Sequence, residues 1–410
     1  MDNKGFGFKR FIFSRFLGTL CDQFLLFAVP LAILQSTGSL MFSSLAFVIE
    51  WLPRLLFFPL SGFIADRVNP RFIFFNVEIG RTLLMLIAFS MLFFYPQLTF
   101  PVLSVMMALL SIAYVINFVS TESLLPRNTP VEKLPKALSM VQGVDQITQV
   151  LGPTLAATIS LYGGIHTILI VSAGIFAISA INYLSLKSRN VSTKDKINFK
   201  SLIESIKQGA KILWKNKVLL HLCGLTWVVN LIYGAALVVS AAVIIKEFHI
   251  AERYFGILQS SAAIATILAF FFVPRFVNRF GLSTLGTISF CAMILSGMLM
   301  TFSIYYLMYL VGYMLLMAFD GVFSIYLRSV RSQIIPQEHL GKTTGLIGLI
   351  NMSSVPASGV AVTFLANYFR PLEIIGIILS FAFIAGITLI ILGRRFFGYQ
   401  SWLPPVIKTE

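Results

Sequence analysis

The chain has 410 residues, 57% of them hydrophobic and only 11% charged, with 39 Phe and a mean hydropathy of +0.87, whereas a soluble protein carries about 25% charged residues. That excludes an ordinary soluble enzyme. It also excludes a transmembrane β-barrel, because residues 11–34 form a run apolar on every face where barrel strands alternate polar and apolar.

In chain order, the apolar stretches predict spans at 11–35, 40–64, 72–95, 99–121, 137–160, 165–186, 218–245, 254–275, 284–303, 305–327, 342–367 and 373–393. The fold class is therefore an all-α membrane protein with twelve transmembrane helices. At about 21 residues each they use about 250 residues, which leaves only short loops and tails. The net charge of +15 is distributed by side. Arg15, Arg54 and Arg81 lie within spans, and Lys246, Arg253 and Arg370 lie in loops of one side; every other base falls in loops of the opposite side or at the termini. By the positive-inside rule that side and both termini are cytoplasmic. The basic excess thus expresses topology and contact with anionic lipid, and no nucleic-acid partner is expected.

Residues 187–217 are the longest polar stretch, and Leu202, Ile206, Ala210 and Leu213 recur there at helical spacing. They predict a basic amphipathic helix along the cytoplasmic face. The expected organisation is an N-terminal six-helix bundle (1–186), this cytoplasmic linker (187–217), a C-terminal six-helix bundle (218–393) and a cytoplasmic tail (394–410). A repeat supports the division: PVEKLPKA at 130–137 aligns with PQEHLGKT at 336–343, and GFIADRVNPR at 62–71 with PRFVNRFGLS at 274–283, where Arg67 matches Arg279 and Asn278 replaces Asp66. Duplicated halves joined by a cytoplasmic linker are the plan of a secondary transporter, with its site between repeats near mid-membrane.

Charged groups inside hydrocarbon cost at least about 2.5–3.5 kcal/mol, so each is a functional candidate. Arg15, Asp22, Glu50, Arg54, Glu78, Arg81, Glu122 and Asp145 are in the first half, and Asp320 is in the second. Asp22 is about 16 Å into the first span at 1.5 Å per residue, near the centre of the core. Glu50 and Arg54 are four apart and Glu78 and Arg81 three apart, so each pair can neutralise itself on one helix face. These pairs, with Arg15, read either as structural ion pairs or as part of a proton path. Asp22 and Asp145 have no base three or four residues away, and a buried, unpaired carboxyl is suited to binding and releasing protons. Proton coupling is assigned first to these two and then to Glu50 and Glu78; for Asp22 a helix-packing hydrogen bond or a pair with Arg15 remains open. Gln142, Asp145, Thr148, Gln149 and Gly152 share one stripe of the fifth span, which lines an aqueous cavity or glues helices together.

The second half offers neutral and aromatic groups: Trp227, Asn230 and Tyr233 on the seventh span, Tyr306, Tyr309 and Tyr313 on the tenth, and Asn351, Ser354 and Ser358 on the eleventh. Acidic groups facing aromatic ones suit an amphipathic or cationic organic solute. The expected substrate contacts are Gln142, Gln149, Trp227, Asn230, Tyr233, Tyr309, Tyr313 and Asn351, with packing or interfacial anchoring as the alternative for each aromatic. Cys21, Cys223 and Cys291 form no CxxC pair, and the four His show no metal-ligand spacing. Gly341-Lys342-Thr343 ends like a phosphate-binding loop, but Pro336 occupies the position of its first Gly. No metal, nucleotide or other cofactor is expected. His221 and Cys223 with Asp22 are the one residual metal possibility.

Gly62-Phe-Ile-Ala-Asp66-Arg67-Val-Asn-Pro-Arg71 resembles the loop signature between spans two and three of the major facilitator superfamily. Arg15-Phe-Leu-Gly-Thr-Leu-Cys-Asp22, Ala28-Val-Pro30, Leu52-Pro53, Gly152-Pro153 and Gly209 to Lys215 (GAKILWK) resemble its drug:proton antiporter branch, which contains bacterial siderophore exporters such as the enterobactin exporter. The resemblance implies gating by Gly62, Asp66, Arg67 and Arg71, with Asp66 against a helix N-terminus as a lock for one conformation; simple topology anchoring is the other reading. It further implies a monomer in a bacterial cytoplasmic membrane that exports a siderophore or drug-like solute against protons. The first span also resembles bacterial ferroportin-like metal exporters, so divalent metal export is an alternative, as is flipping of a lipid or lysolipid. An enzyme is not expected.

Overall fold

Every apolar stretch resolves into α-helix in the computed structural model, whose described residues are 7–37, 40–186, 199–250 and 253–397. Residues 1–6, 38–39 and 251–252, residues 187–198 of the expected linker and residues 398–410 of the expected tail lie outside them. The helices are α1 (Phe8–Thr37), α2 (Leu40–Arg67), α3 (Pro70–Phe94), α4 (Thr99–Asn128), α5 (Leu134–Ser160), α6 (Gly164–Leu184), α7 (Phe199–Lys215), α8 (Lys217–Ala242), α9 (Arg253–Phe280), α10 (Leu282–Thr301), α11 (Tyr306–Ile334), α12 (Leu340–Met352), α13 (Ser354–Leu365) and α14 (Pro371–Phe397).

Ten segments among the described residues are helical, long and apolar enough to cross a membrane; α12 and α13 share one of them. Of the other helices, α2 and α5 match them in length at 28 and 27 residues. Large apolar side chains such as Leu56, Phe94, Phe271 and Ile384 are more than half exposed, which fits a surface whose solvent is hydrocarbon. The expected eleventh span is interrupted: α12 stops at Met352, Ser353 forms a turn, and α13 restarts. Pro356, which has no N–H for the preceding turn, lies just beyond the break.

The chain divides into two compact units, and neither is a continuous stretch. One comprises residues 1–129, 147–209 and 337–346, the other 130–146, 210–336 and 347–410. In the first, α2 packs on α4, α3 on α6, and α1 on α6. Its core is apolar: Cys21, Phe24 and Val29 of α1, Met85 of α3, Leu103 of α4, Ala156 of α5 and Phe176 of α6 are buried together. In the second, α11 packs against α9 and α10, and α8 against α13 and α14.

The repeat read in the sequence returns as local structure. Val131–Lys133 forms a 3₁₀ turn that runs into α5 at Leu134, and Gln337–His339 forms one that runs into α12 at Leu340. Between α2 and α3 the connection is two residues long. Asn69 caps α3 by accepting from Arg71 N at 3.0 Å, with Pro70 in the first helical position.

Candidate functional site

The first unit contains a buried group of charges around Arg81. Its guanidinium lies 3.5 Å from Glu78 on its own helix and 3.4 Å from Asp22 on α1. Asp22 therefore has a base beside it, which corrects the expectation drawn from its own helix. Fifty-nine positions separate Asp22 from Arg81, and helical spacing speaks only for pairs within one helix. Asn117 of α4 donates to Glu78 Oε1 at 2.9 Å, Arg15 of α1 donates to Thr121 at 3.3 Å, and Arg81 lies 5.2 Å from the Phe176 ring. Arg15, Gly18, Thr19, Asp22, Glu78 and Arg81 line one recess, walled on its other sides by residues such as Tyr114 and Tyr183.

The recess has room for little more than a water-sized group. Glu78 Oε2, Arg81 Nε and Nη2, and Asn117 Oδ1 are buried without hydrogen bonds, so polar capacity remains around a small space. One guanidinium serves two carboxylates, an arrangement that balances its charge when one of them carries a proton. Glu50 and Arg54 of α2 form the expected pair at 2.6 Å, and Arg54 stacks 4.5 Å from the centre of the Tyr114 ring.

A second constellation gathers around Asp66, at the end of α2 and beyond its apolar stretch 40–64. Its Oδ1 accepts from Gly341 N and its Oδ2 from Lys342 N, both at 2.7 Å. These amides open α12, where a helix N-terminus favours negative charge. The residues that ended a false nucleotide-loop match thus hold a carboxylate. Arg127, at the end of α4, donates to Asp66 Oδ1 at 2.7 Å and to Gln337 O at 2.7 Å. Burial raises the Asp66 carboxyl above its ordinary value, against the lowering pull of the Lys342 amide, Arg127 and the Gly341 amide. A Cβ on Gly62 would overlap the Gly341 carbonyl, and one on Gly341 would come within 2.7 Å of Asp66 Oδ1. Glycine is required on both sides of this contact.

Arg67 stacks 4.0 Å from the centre of the Phe63 ring and Arg71 lies 6.0 Å from that of Phe72. The cation on Asp66 is Arg127, which the sequence showed only as one base among many. The repeated segment in the other unit lacks the same chemistry: Pro135, which has no N–H, aligns with Gly341, and Asn278 aligns with Asp66.

In the second unit, Gln142 of α5 donates to Ser324 of α11 at 3.3 Å; with its amide turned over it donates to Gly321 O and accepts from Arg328. Asp145 and Tyr233 are half-buried; Thr148 and Gln149, which fall in the first unit, are buried and exposed respectively. Around the α12/α13 break, Trp227 donates to Ser353 at 3.3 Å, Asn230 to the Asn351 carbonyl at 3.1 Å, and Cys223 to Asn351 Oδ1 at 3.2 Å. Tyr309 and Tyr313 are fully buried; the first shares a 2.8 Å hydrogen bond with Ser240 and the second donates to Gln259 at 3.0 Å. Both hydroxyls are thus hydrogen-bonded to neighbouring helices of this unit. The His221 ring lies against Gly393. Among the described residues no three of His, Cys, Asp and Glu gather as metal ligands.

A sequence profile described as Major Facilitator Superfamily matches residues 11–245. The chain is 26% identical over 176 residues to an uncharacterized MFS-type transporter, YfiS, of Bacillus subtilis (strain 168), across 43% of this chain and 41% of that protein. It is 23% identical over 198 residues to Macrolide efflux protein A of Streptococcus pyogenes, across 48% of each. The matches thus span less than half the length of these curated relatives. Among solved structures, a bacterial homologue of the iron transporter ferroportin in an outward-facing state aligns with a TM-score of 0.77 and 18% identity, covering 95% of this chain and 99% of that one.

Proposed function

Since the chain belongs to the major facilitator superfamily and is a multi-pass membrane transporter rather than an enzyme, we propose that it exports a small organic solute by proton-coupled alternating access. The reading counts α2 and α5 with the ten apolar segments, giving twelve spans with both termini cytoplasmic in a bacterial cytoplasmic membrane. Export, and an organic solute of the siderophore or drug-like class, draw support from the relative named for macrolide efflux.

The observation that carries the coupling is Arg81 held between Asp22 and Glu78 beside a recess of water-like size. Such a space suits a proton better than a solute. In the proposed cycle Asp22 takes a proton from outside, Arg81 falls back on Glu78, and the chain shifts toward its inward-facing state. Loss of the proton to the cytoplasm restores the Asp22–Arg81 pair as solute is captured. Proton and solute communicate through one two-state equilibrium, which needs no direct contact between them. Asp66, held by α12 and Arg127, would fasten the state that is closed on the cytoplasmic side.

Everted membrane vesicles with an imposed pH gradient test this. Siderophores, dyes and divalent iron or cobalt are offered, with Asp22→Asn as control. Organic uptake that collapses with the gradient, and that Asp22→Asn abolishes, is the expected result. Metal uptake alone would replace the reading with metal export, and driven transport by Asp22→Asn would remove Asp22 from the cycle.

A further inference from the structure

Helix α7 carries two flanks, and among the described residues one of them packs on α12. Gly209 packs against the Lys342 carbonyl at the start of α12: a Cβ there would lie 3.1 Å from that oxygen and 3.0 Å from Leu346. Its neighbour Gln208 accepts from the Lys342 ammonium at 2.8 Å. Lys342 is also the residue whose backbone amide holds Asp66 Oδ2. The linker helix therefore grips the residue that closes the Asp66 contact.

The other flank makes no such contact among the described residues. At 100° per residue, Ile203, Trp214, Lys207, Lys200 and Lys211 follow one another within an arc of about 80°. That arc is well removed from Gly209 and from the buried Ser205 and Leu213. Trp214 is 69% exposed and Ile203 38%, and the lysines of the arc are exposed beside them. With Glu204 as its sole acid and Lys200, Lys207, Lys211 and Lys215 as bases, α7 is too charged to enter the bilayer. An exposed Trp edged by lysines on such a helix has the composition of an interfacial anchor, the ring at headgroup depth and the ammonium groups among phosphates.

We infer that the Trp214–Lys207–Lys211 flank of α7 docks on anionic phospholipid headgroups of the cytoplasmic leaflet, and that this docking, passed through Gln208 and Gly209 to Lys342, stabilises the Asp66 contact. Charge complementarity selects the occupant: each lysine near an anionic surface strengthens attachment about fivefold, and a zwitterionic surface supplies no such gain. Lipid charge would then set how long the contact at Asp66 lasts. The inference rests on geometry around Lys342 and needs no particular solute or coupling ion, so it survives failure of the export reading.

The test uses the full-length protein in nanodiscs of phosphatidylcholine alone, and of phosphatidylcholine mixed equally with phosphatidylglycerol. Trp214 emission, isolated by subtracting the Trp214→Phe protein, should shift to the blue only when phosphatidylglycerol is present. Amide exchange over residues 337–346 should slow with it, about fivefold. The triple variant Lys207→Gln, Lys211→Gln, Lys215→Gln should lose both responses. Gln208→Ala should keep the emission shift and lose the slowing. Equal Trp214 emission in the two membranes, or a triple variant that still responds, overturns the docking. An emission shift without slower exchange in the parent chain overturns its coupling to Lys342.

Discussion

Arg81 is the residue on which the buried charges depend, because Asp22 and Glu78 both lie within 3.5 Å of it. Removing one member of a buried pair strands the other, at about 3–5 kcal/mol. Arg81→Gln removes the base that two carboxylates share, whereas Asp22→Asn leaves Arg81 with Glu78, so Arg81→Gln should melt well below Asp22→Asn in the same detergent; equal melting temperatures would deny Arg81 this position. Asp66→Asn keeps a side chain of the same shape without the charge that the α12 amides and Arg127 address. It should weaken the contact by on the order of 2 kcal/mol, about thirtyfold in population, read as faster amide exchange over 337–346. Asp66 was legible as a charge in a recognisable loop, and its place at a helix N-terminus was expected on the same ground. Its partner Arg127 and the Asp22–Arg81 pair were not, since both join helices that only the folded chain brings together.

Helices whose polar groups are already satisfied read differently from those around a recess. Tyr309 and Tyr313 of α11 bond to Ser240 of α8 and Gln259 of α9, which ties three helices together. Tyr309→Phe should cost about 1 kcal/mol of stability and leave the KM for any transported solute unchanged; a raised KM at unaltered melting temperature would return Tyr309 to the substrate path. Periodicity and length located most helices to within a few residues, because an apolar run in a membrane has few alternatives. The interruption at Ser353 escaped that reading, since Asn351, Ser354 and Ser358 read as a polar stripe on one continuous helix, in which Pro356 has no weight as a break. Trp227, Asn230 and Cys223 all bond to residues at this break, so the cluster seen on one span in the sequence is tied to the interrupted helix.

For the molecule as a whole, composition and the length of the apolar runs were the most informative features of the sequence. They follow from the cost of carrying charge across hydrocarbon, which every span must meet independently of packing. The proposed topology puts Tyr162, 83% exposed between α5 and α6, outside the cell. A cysteine at position 162 in a background freed of Cys21, Cys223 and Cys291 should react with a membrane-impermeant maleimide in intact cells, and one at Glu132 only after the membrane is opened. The reverse pattern would invert the chain. Two compact units assembled from interleaved pieces of sequence were not legible from the repeat, which relates short segments of sequence and is silent on which segments pack together.

The repeat has a further consequence. A 3₁₀ turn introduces both α5 and α12, yet the carboxylate and both amide donors stand together only at α12, because Asn278 and Pro135 occupy the matching positions. In the reading proposed above, a transporter with two equal clasps would divide its time evenly between them and give bursts with no preferred rhythm. With one charged clasp the cycle acquires a slow tooth: a long wait on the Asp66 side and a short one opposite. Single-molecule records of the cycle should then show two unequal dwell times, and Asp66→Asn should shorten the longer one alone.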